Sequence, residues 1–156
     1  MNQELIQSAL WLIIDPWQYQ NQQKSSAVSP HQQWASDAYL NIVNHYHRTK
    51  IAQYLQIWQP KNIYVSSPPH IETAVEFKNL TQIRYTDVEK KVVEQNFTEI
   101  VYIGFHYGMC INHKPQGVMH ISKFAKCYVV KDLVCLFPGK SWIAMDKETE
   151  KYATII

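Results

Sequence analysis

Cysteine is scarce in this chain and never paired. Cys110, Cys127 and Cys135 are odd in number and lack CxxC spacing, which excludes a disulfide framework and a zinc knuckle and suits a reducing compartment. Charge is thin as well: the net value is +2 and no block of Lys and Arg occurs. The chain therefore lacks the electrostatic footprint that a phosphate backbone calls for, and no nucleic-acid partner is expected. Long apolar runs are missing too. The stretch "ALWLII" ends after six residues, where a membrane span needs about twenty, and no basic segment leads into a signal-peptide core. The expectation is a cytoplasmic protein that makes no membrane contact. Internal repeats and low-complexity tracts are also absent, which removes solenoids and disordered linkers from consideration.

What is present suits one compact domain. With 156 residues, 46% of them hydrophobic and 18% charged, the chain can bury a real core, and we expect a single domain over 1–156. "SALWLIIDPW" reads as a strand buried on both faces and closed by Asp15-Pro16, since Pro16 has no N–H for the ladder. Residues 18–35 read as a long polar loop over one end of a sheet. From an N-cap at Ser36 or Asp37, apolar residues recur with helical spacing at Leu40, Val43, Ile51, Tyr54, Leu55 and Trp58, with His47 on the same stripe, until Pro60.

"NIYVSSPPH" predicts a second strand, and "TQIRYT" a weaker third one after a loop or partial helix at "IETAVEF". Thr86 and Glu89 have capping-box spacing ahead of "VEKKVVEQN", which predicts a short amphipathic helix. The strongest strand follows in "EIVYIGF", then "AKCYVVKD", and the C-terminal segment reads as a helix and an edge strand. Alternating strands and helices predict a doubly wound, mostly parallel α/β sheet with helices on both faces, in three layers. Ligands of such sheets bind beyond the carboxyl ends of the strands. Asp15, His70, Arg84 and Cys110 all follow or close predicted strands, so they become candidates for one site.

Two segments carry a family resemblance: the strand-one Asp of "WLIIDPW", and "GFHYGMC", which matches a Gly-to-Cys segment of seven residues. With them the chain resembles the isochorismatase-like cysteine hydrolases, a group that includes nicotinamidases and other amidases. Asp132 at the end of "AKCYVVKD" falls where that family closes its next strand. The resemblance implies that Cys110 is a nucleophile toward a small amide or related substrate and that Asp15 is its acid/base. It also implies that backbone N–H groups at Cys110 and just before it form an oxyanion hole. A helix N-terminus beneath the thiol would favour the thiolate, and fixed donors would stabilise charge developing on the substrate oxygen.

Three departures accompany the match. No Lys stands in the family's usual context before the Cys. Arg84 is the nearest replacement, with Lys78 and Lys114 behind it, although Arg cannot shuttle protons as a tuned Lys does. "SSPPH" offers one histidine, His70, where nicotinamidase-like members carry an Asp and two His, so neither a metal nor another cofactor is expected. Pro115 and Gly117 interrupt the helix expected after the nucleophile.

The sequence thus nominates Cys110, Asp15 and Arg84 as catalytic, and Trp17, His106, Tyr107 and His70 as lining a small-molecule pocket. Cys110 also suits a small buried hydrophobe, and Asp15 a strand-end capping residue. Two functions stay open: a cysteine hydrolase, or a non-catalytic domain of the same fold that binds a ligand or serves as an oligomeric scaffold. In either case a homo-oligomer is expected, because a small sheet with aromatic residues on its helices gains from association.

Overall fold

The computed structural model describes residues 1–18 and 30–156, and for residues 30–39 the backbone alone. Six strands form one sheet: β1 (Leu10–Ile14), β2 (Asn62–Ser66), β3 (Thr81–Ile83), β4 (Glu99–Tyr107), β5 (Lys126–Leu136) and β6 (Ala153–Ile155). Their order is β3-β2-β1-β4-β5-β6, and every neighbouring pair is parallel. β1 and β4 are central, and the order reverses between them. That reversal opens a crevice at their carboxyl ends, which is where Asp15 and Cys110 lie.

Burial on both faces explains the unbroken apolar runs. Along β1, Trp11 and Ile13 join Val101 and Ile103 of β4 on one face, while Leu10, Leu12 and Ile14 join Ile100 and Tyr102 on the other. The first face is covered by α1 (Gln3–Ser8) and α2 (Pro30–Trp58); the second takes α3 (Val88–Glu94), α4 (Cys110–His113) and α5 (Val118–Ile121). α6 (Trp142–Thr149) then leads into β6.

Several expectations are corrected. α1 was not foreseen. Its N-cap is Asn2, whose side chain accepts from the Glu4 N–H at 2.8 Å, and Leu5 and Ile6 are its buried residues. α2 starts at Pro30, ahead of Ser36 and Asp37, and a proline suits the first turn because its missing N–H would be unpaired there anyway. The inward stripe of α2 holds Asn44, Arg48 and Ile51 with Tyr54, Leu55 and Trp58 packed near it, whereas Val43 is exposed. Ile42, Tyr46 and Ile57 share the outward face at 71–74% exposure, which blurs the amphipathic signal of this helix.

The Thr86/Glu89 capping box does not form. The α3 N-cap is Asp87, which makes no side-chain cap bond, and its carboxylate takes Arg84 instead. The reading of residues 18–35 as a loop falls mostly outside the described residues, and the part from Pro30 onward is helix. β5 runs on to Leu136, so Asp132 lies within the strand rather than at its end. It borders a cavity of about 420 Å³ among Leu5, Trp58, Tyr128 and Val130, on the α1/α2 face of the sheet.

Candidate active site

The site begins with the two central strands. β1 ends at Ile14 because Pro16 cannot donate. One more bond, from the Asp15 N–H to Ser66 O at 2.9 Å, holds Asp15 at the strand end, and the Trp17 N–H turns back onto Asp15 O at 2.8 Å. Asp15 accommodates this turn at φ 51° and is only 2% exposed.

β4 reaches the same edge by an irregular path. Its pairing with β5 shifts between Tyr102 and Gly104 and again between Gly104 and Tyr107, and such bulges re-aim the residues that follow. Gly104 has φ 117°, and a Cβ there would lie 2.4 Å from Ile14 O. Only glycine lets β4 pass this close to β1. Two residues later His106, at φ 63°, puts Nδ1 at 2.8 Å from Asp15 Oδ2. Its ring lies between Trp17 and Phe137, in edge contact at centroid distances of 4.8 and 5.6 Å.

Cys110 opens α4 just beyond the turn. The Asp15 carboxylate, a His106 ring nitrogen and the Cys110 sulfur have donor atoms all within 4.8 Å of one another, and among the described residues no other His, Cys, Asp or Glu cluster is as tight. Burial raises the thiol's pKa well above its ordinary value, and the Asp15 charge and hydrogen bond raise it further; Lys114 opposes them weakly. Cys110 therefore rests as a protonated thiol beside a carboxylate, contrary to the thiolate expected over a helix end. The helix end does little to offset these effects, because Pro115 and Gly117 split the segment into α4 and α5, each four residues long, and so short a helix has little dipole to offer.

The turn between His106 and Cys110 is braced from beneath. The Gly108 N–H donates to Asn112 Oδ1 at 2.7 Å, and Asn112 Nδ2 donates to Thr149 Oγ1 at 2.8 Å, all buried. The Met109 N–H donates to His106 O at 2.9 Å. The N–H groups just before Cys110, expected as oxyanion donors, are thus already engaged.

The other sequence candidates disperse. Arg84 follows β3, two strands or about 10 Å from β1, and its side chain is 73% exposed and paired with Asp87 at 2.9 Å. Lys78 pairs with Glu72 in solvent. His70 is exposed in the turn after β2. Tyr107 is 1% exposed; its hydroxyl donates to Asp146 at 2.8 Å and its ring packs on Trp142, which turns it toward α6. Trp17 and His106 do stand beside Asp15.

Arg48 escaped the sequence reading. It is buried on α2, with Nη1 donating to Trp17 O at 3.4 Å and Nε 3.4 Å from Glu76 Oε2. The latter pair has ion-pair distance but not hydrogen-bond alignment, and both atoms otherwise lack partners among the described residues. Its neighbour His47 sits under the bulge: Nε2 donates to Gly104 O at 3.1 Å and the ring meets Phe105. Burial lowers the His47 pKa, so the ring is held neutral.

The six-stranded, all-parallel α/β sheet with helices on both faces has the isochorismatase-like fold, and solved structures of that fold superpose on nearly the whole chain. An isochorismatase-like hydrolase from Alkaliphilus metalliredigens matches with a TM-score of 0.63 at 7% identity, covering 96% of this chain and 94% of its own. A pyrazinamidase of Pyrococcus horikoshii, solved in complex with zinc, matches with 0.63 at 10% identity, covering 96% and 98%. The YcaC gene product of Escherichia coli, described as an octameric hydrolase of unknown specificity, matches with 0.57 at 12% identity, covering 100% and 76%. No family model matches the sequence, and no curated protein does. At these identities the likeness is one of fold. Among the described residues, no helix is long and apolar enough to cross a membrane.

Proposed function

We propose that this chain is a cysteine hydrolase acting as one cytoplasmic domain on a small amide or related substrate. The observation that carries the reading is the Cys110 thiol standing beside the buried Asp15 carboxylate, which His106 holds at 2.8 Å. Substrate enters between Trp17, His106 and Phe137. As the Cys110 sulfur attacks the carbonyl carbon, its proton passes to Asp15, and the negative charge on the carbonyl oxygen is met by the Cys110 N–H. The tetrahedral species expels the amine, which takes the proton back from Asp15 and leaves a thioester. Asp15 then deprotonates water, the water attacks the thioester, and the acid leaves as the thiol is restored.

His106 donates to Asp15 and so supplies, from the neighbouring strand, part of the support expected from a Lys or from Arg84. Trapping tests the scheme. The protein is mixed with a panel of small primary amides, quenched in acid and read by intact and peptide mass. An acyl adduct on Cys110, absent in Cys110→Ala, is the expected result. No adduct and no ammonia from any amide, with the fold intact by circular dichroism, sinks it.

A second reading, a binding or scaffold domain that has lost catalysis, is favoured by the engaged Gly108 and Met109 N–H groups, since they remove donors an oxyanion hole would use. In both readings the chain assembles as a homo-oligomer through exposed apolar residues such as Ile42, Tyr46 and Ile57, and light scattering at 18 kDa refutes that part.

A further inference from the structure

We infer that Asp15, His106 and Cys110 form a chelating site for a divalent transition ion of the zinc class. The site does not use the ligand positions after the second strand, which here offer only the exposed His70. Three donors of different type, a carboxylate oxygen, an imidazole nitrogen and a thiol sulfur, already converge within 4.8 Å. A tetrahedral zinc ion with ligands at about 2.0–2.3 Å separates its donors by about 3.3–3.6 Å. Asp15 and His106, at 2.8 Å, stand closer than that range, and the three donors span no more than 4.8 Å, so a small parting of this pair and a modest rotation of the Cys110 side chain complete three ligands. The His106 side chain is 12% exposed, so solvent reaches the cluster.

Charge favours the loaded state. A buried carboxylate and a thiolate side by side repel. A dication cancels both charges at once, with the mixed thiolate and imidazole set that borderline-soft ions prefer. Loading replaces the Cys110 S–H bond by a sulfur–metal bond and releases that proton to solvent, while the proton on His106 Nδ1 moves to Nε2 of the same neutral ring, so one proton leaves per ion with no change of oxidation state. Lys114, the cation whose field reaches Cys110, opposes the ion. The same thiol cannot serve hydrolysis while it holds metal, so the ion blocks the chemistry proposed above. The inference does not rest on that reading, because chelation needs no turnover.

The test is titration of the metal-free full chain with Co²⁺, followed by its near-ultraviolet sulfur-to-metal charge-transfer band, and with Zn²⁺, followed by proton release and iodoacetamide labelling. The expected result is one ion per chain, about one proton released, and Cys110 protected by Zn²⁺ until EDTA is added. Cys110→Ser loses the band, while His106→Gln and Asp15→Asn weaken binding at least tenfold. A band that persists in Cys110→Ser, or affinity unchanged in all three variants, would mean scattered surface histidines and overturns the proposal. Should Cys110→Ser fail to fold, the wild-type protection decides: labelling unaffected by Zn²⁺ refutes the site.

Discussion

Replacing Asp15 by Asn separates two roles that one carboxylate plays. In the native site its charge, added to burial, opposes ionisation of the Cys110 thiol. At an effective dielectric of about 20, unit charges at the 4.8 Å outer limit of the cluster repel by about 3.5 kcal/mol, roughly 300-fold in the ionisation constant. Solvent at the half-buried sulfur screens part of this, so a change of about tenfold is the floor we expect. Asp15→Asn keeps the size and the acceptor for His106 but removes the charge. Alkylation of Cys110 by iodoacetamide at pH 7.5, read by peptide mass, should therefore speed up by about tenfold or more, while acyl-adduct formation from an amide disappears because nothing takes the proton. Circular dichroism and urea unfolding control for the fold. Alkylation that is equal or slower in a folded Asp15→Asn would show that the carboxylate does not act on the thiol electrostatically, and the proton-transfer scheme would fail with it.

Three further outcomes follow from the same geometry. Gly104→Ala places a methyl 2.4 Å from Ile14 O at φ 117°; the backbone strain and forced separation of β1 and β4 should cost about 3 kcal/mol or more, and a loss under 1 kcal/mol by urea denaturation contradicts the close approach. Burial raises the pKa of all three cysteines, Cys127 to about 12. Thiols whose folded pKa is raised stabilise the fold below the unfolded value of about 8.5 and lose that contribution as pH rises above it. Urea midpoints should fall from pH 8.5 to 10.5 and fall less in Cys127→Ala; equal slopes refute the burial. Arg84→Ala, at a side chain 73% exposed, should shift stability by no more than about 0.5 kcal/mol and leave Cys110 alkylation unchanged, whereas a large change in either would return Arg84 to the site.

The sequence by itself determined the strands and the Asp that closes the first of them. Unbroken apolar runs too short for a helix and bounded by Pro or Gly suit strands covered on both sides, Pro16 has no donor to extend the first, and alternation with helices leaves a parallel sheet as the economical arrangement. Asp15 was legible for that reason, since it follows such a run directly, whereas Cys110 was singled out by its seven-residue Gly-to-Cys spacing and opens α4 beyond the end of β4. The Pro115 and Gly117 interruption was legible too, and it shows as two single-turn helices in place of one. Arg84 was misplaced because strand-end position alone does not tell which strands are central. β3 proves to be the edge, and a carboxylate three residues on, Asp87, takes the guanidinium.

Only the tertiary structure decided what faces Asp15. Bulges around Gly104 and the positive φ of His106 re-aim that imidazole across from β4 to β1, and nothing in the period-two pattern of a strand encodes such a turn. Arg48 and His47 reach the site from a helix more than fifty residues from Gly104 and Cys110, by packing rather than by any local signal. The protonation state of Cys110 was decided there as well, since burial and a neighbouring charge exist only once the chain has folded around them.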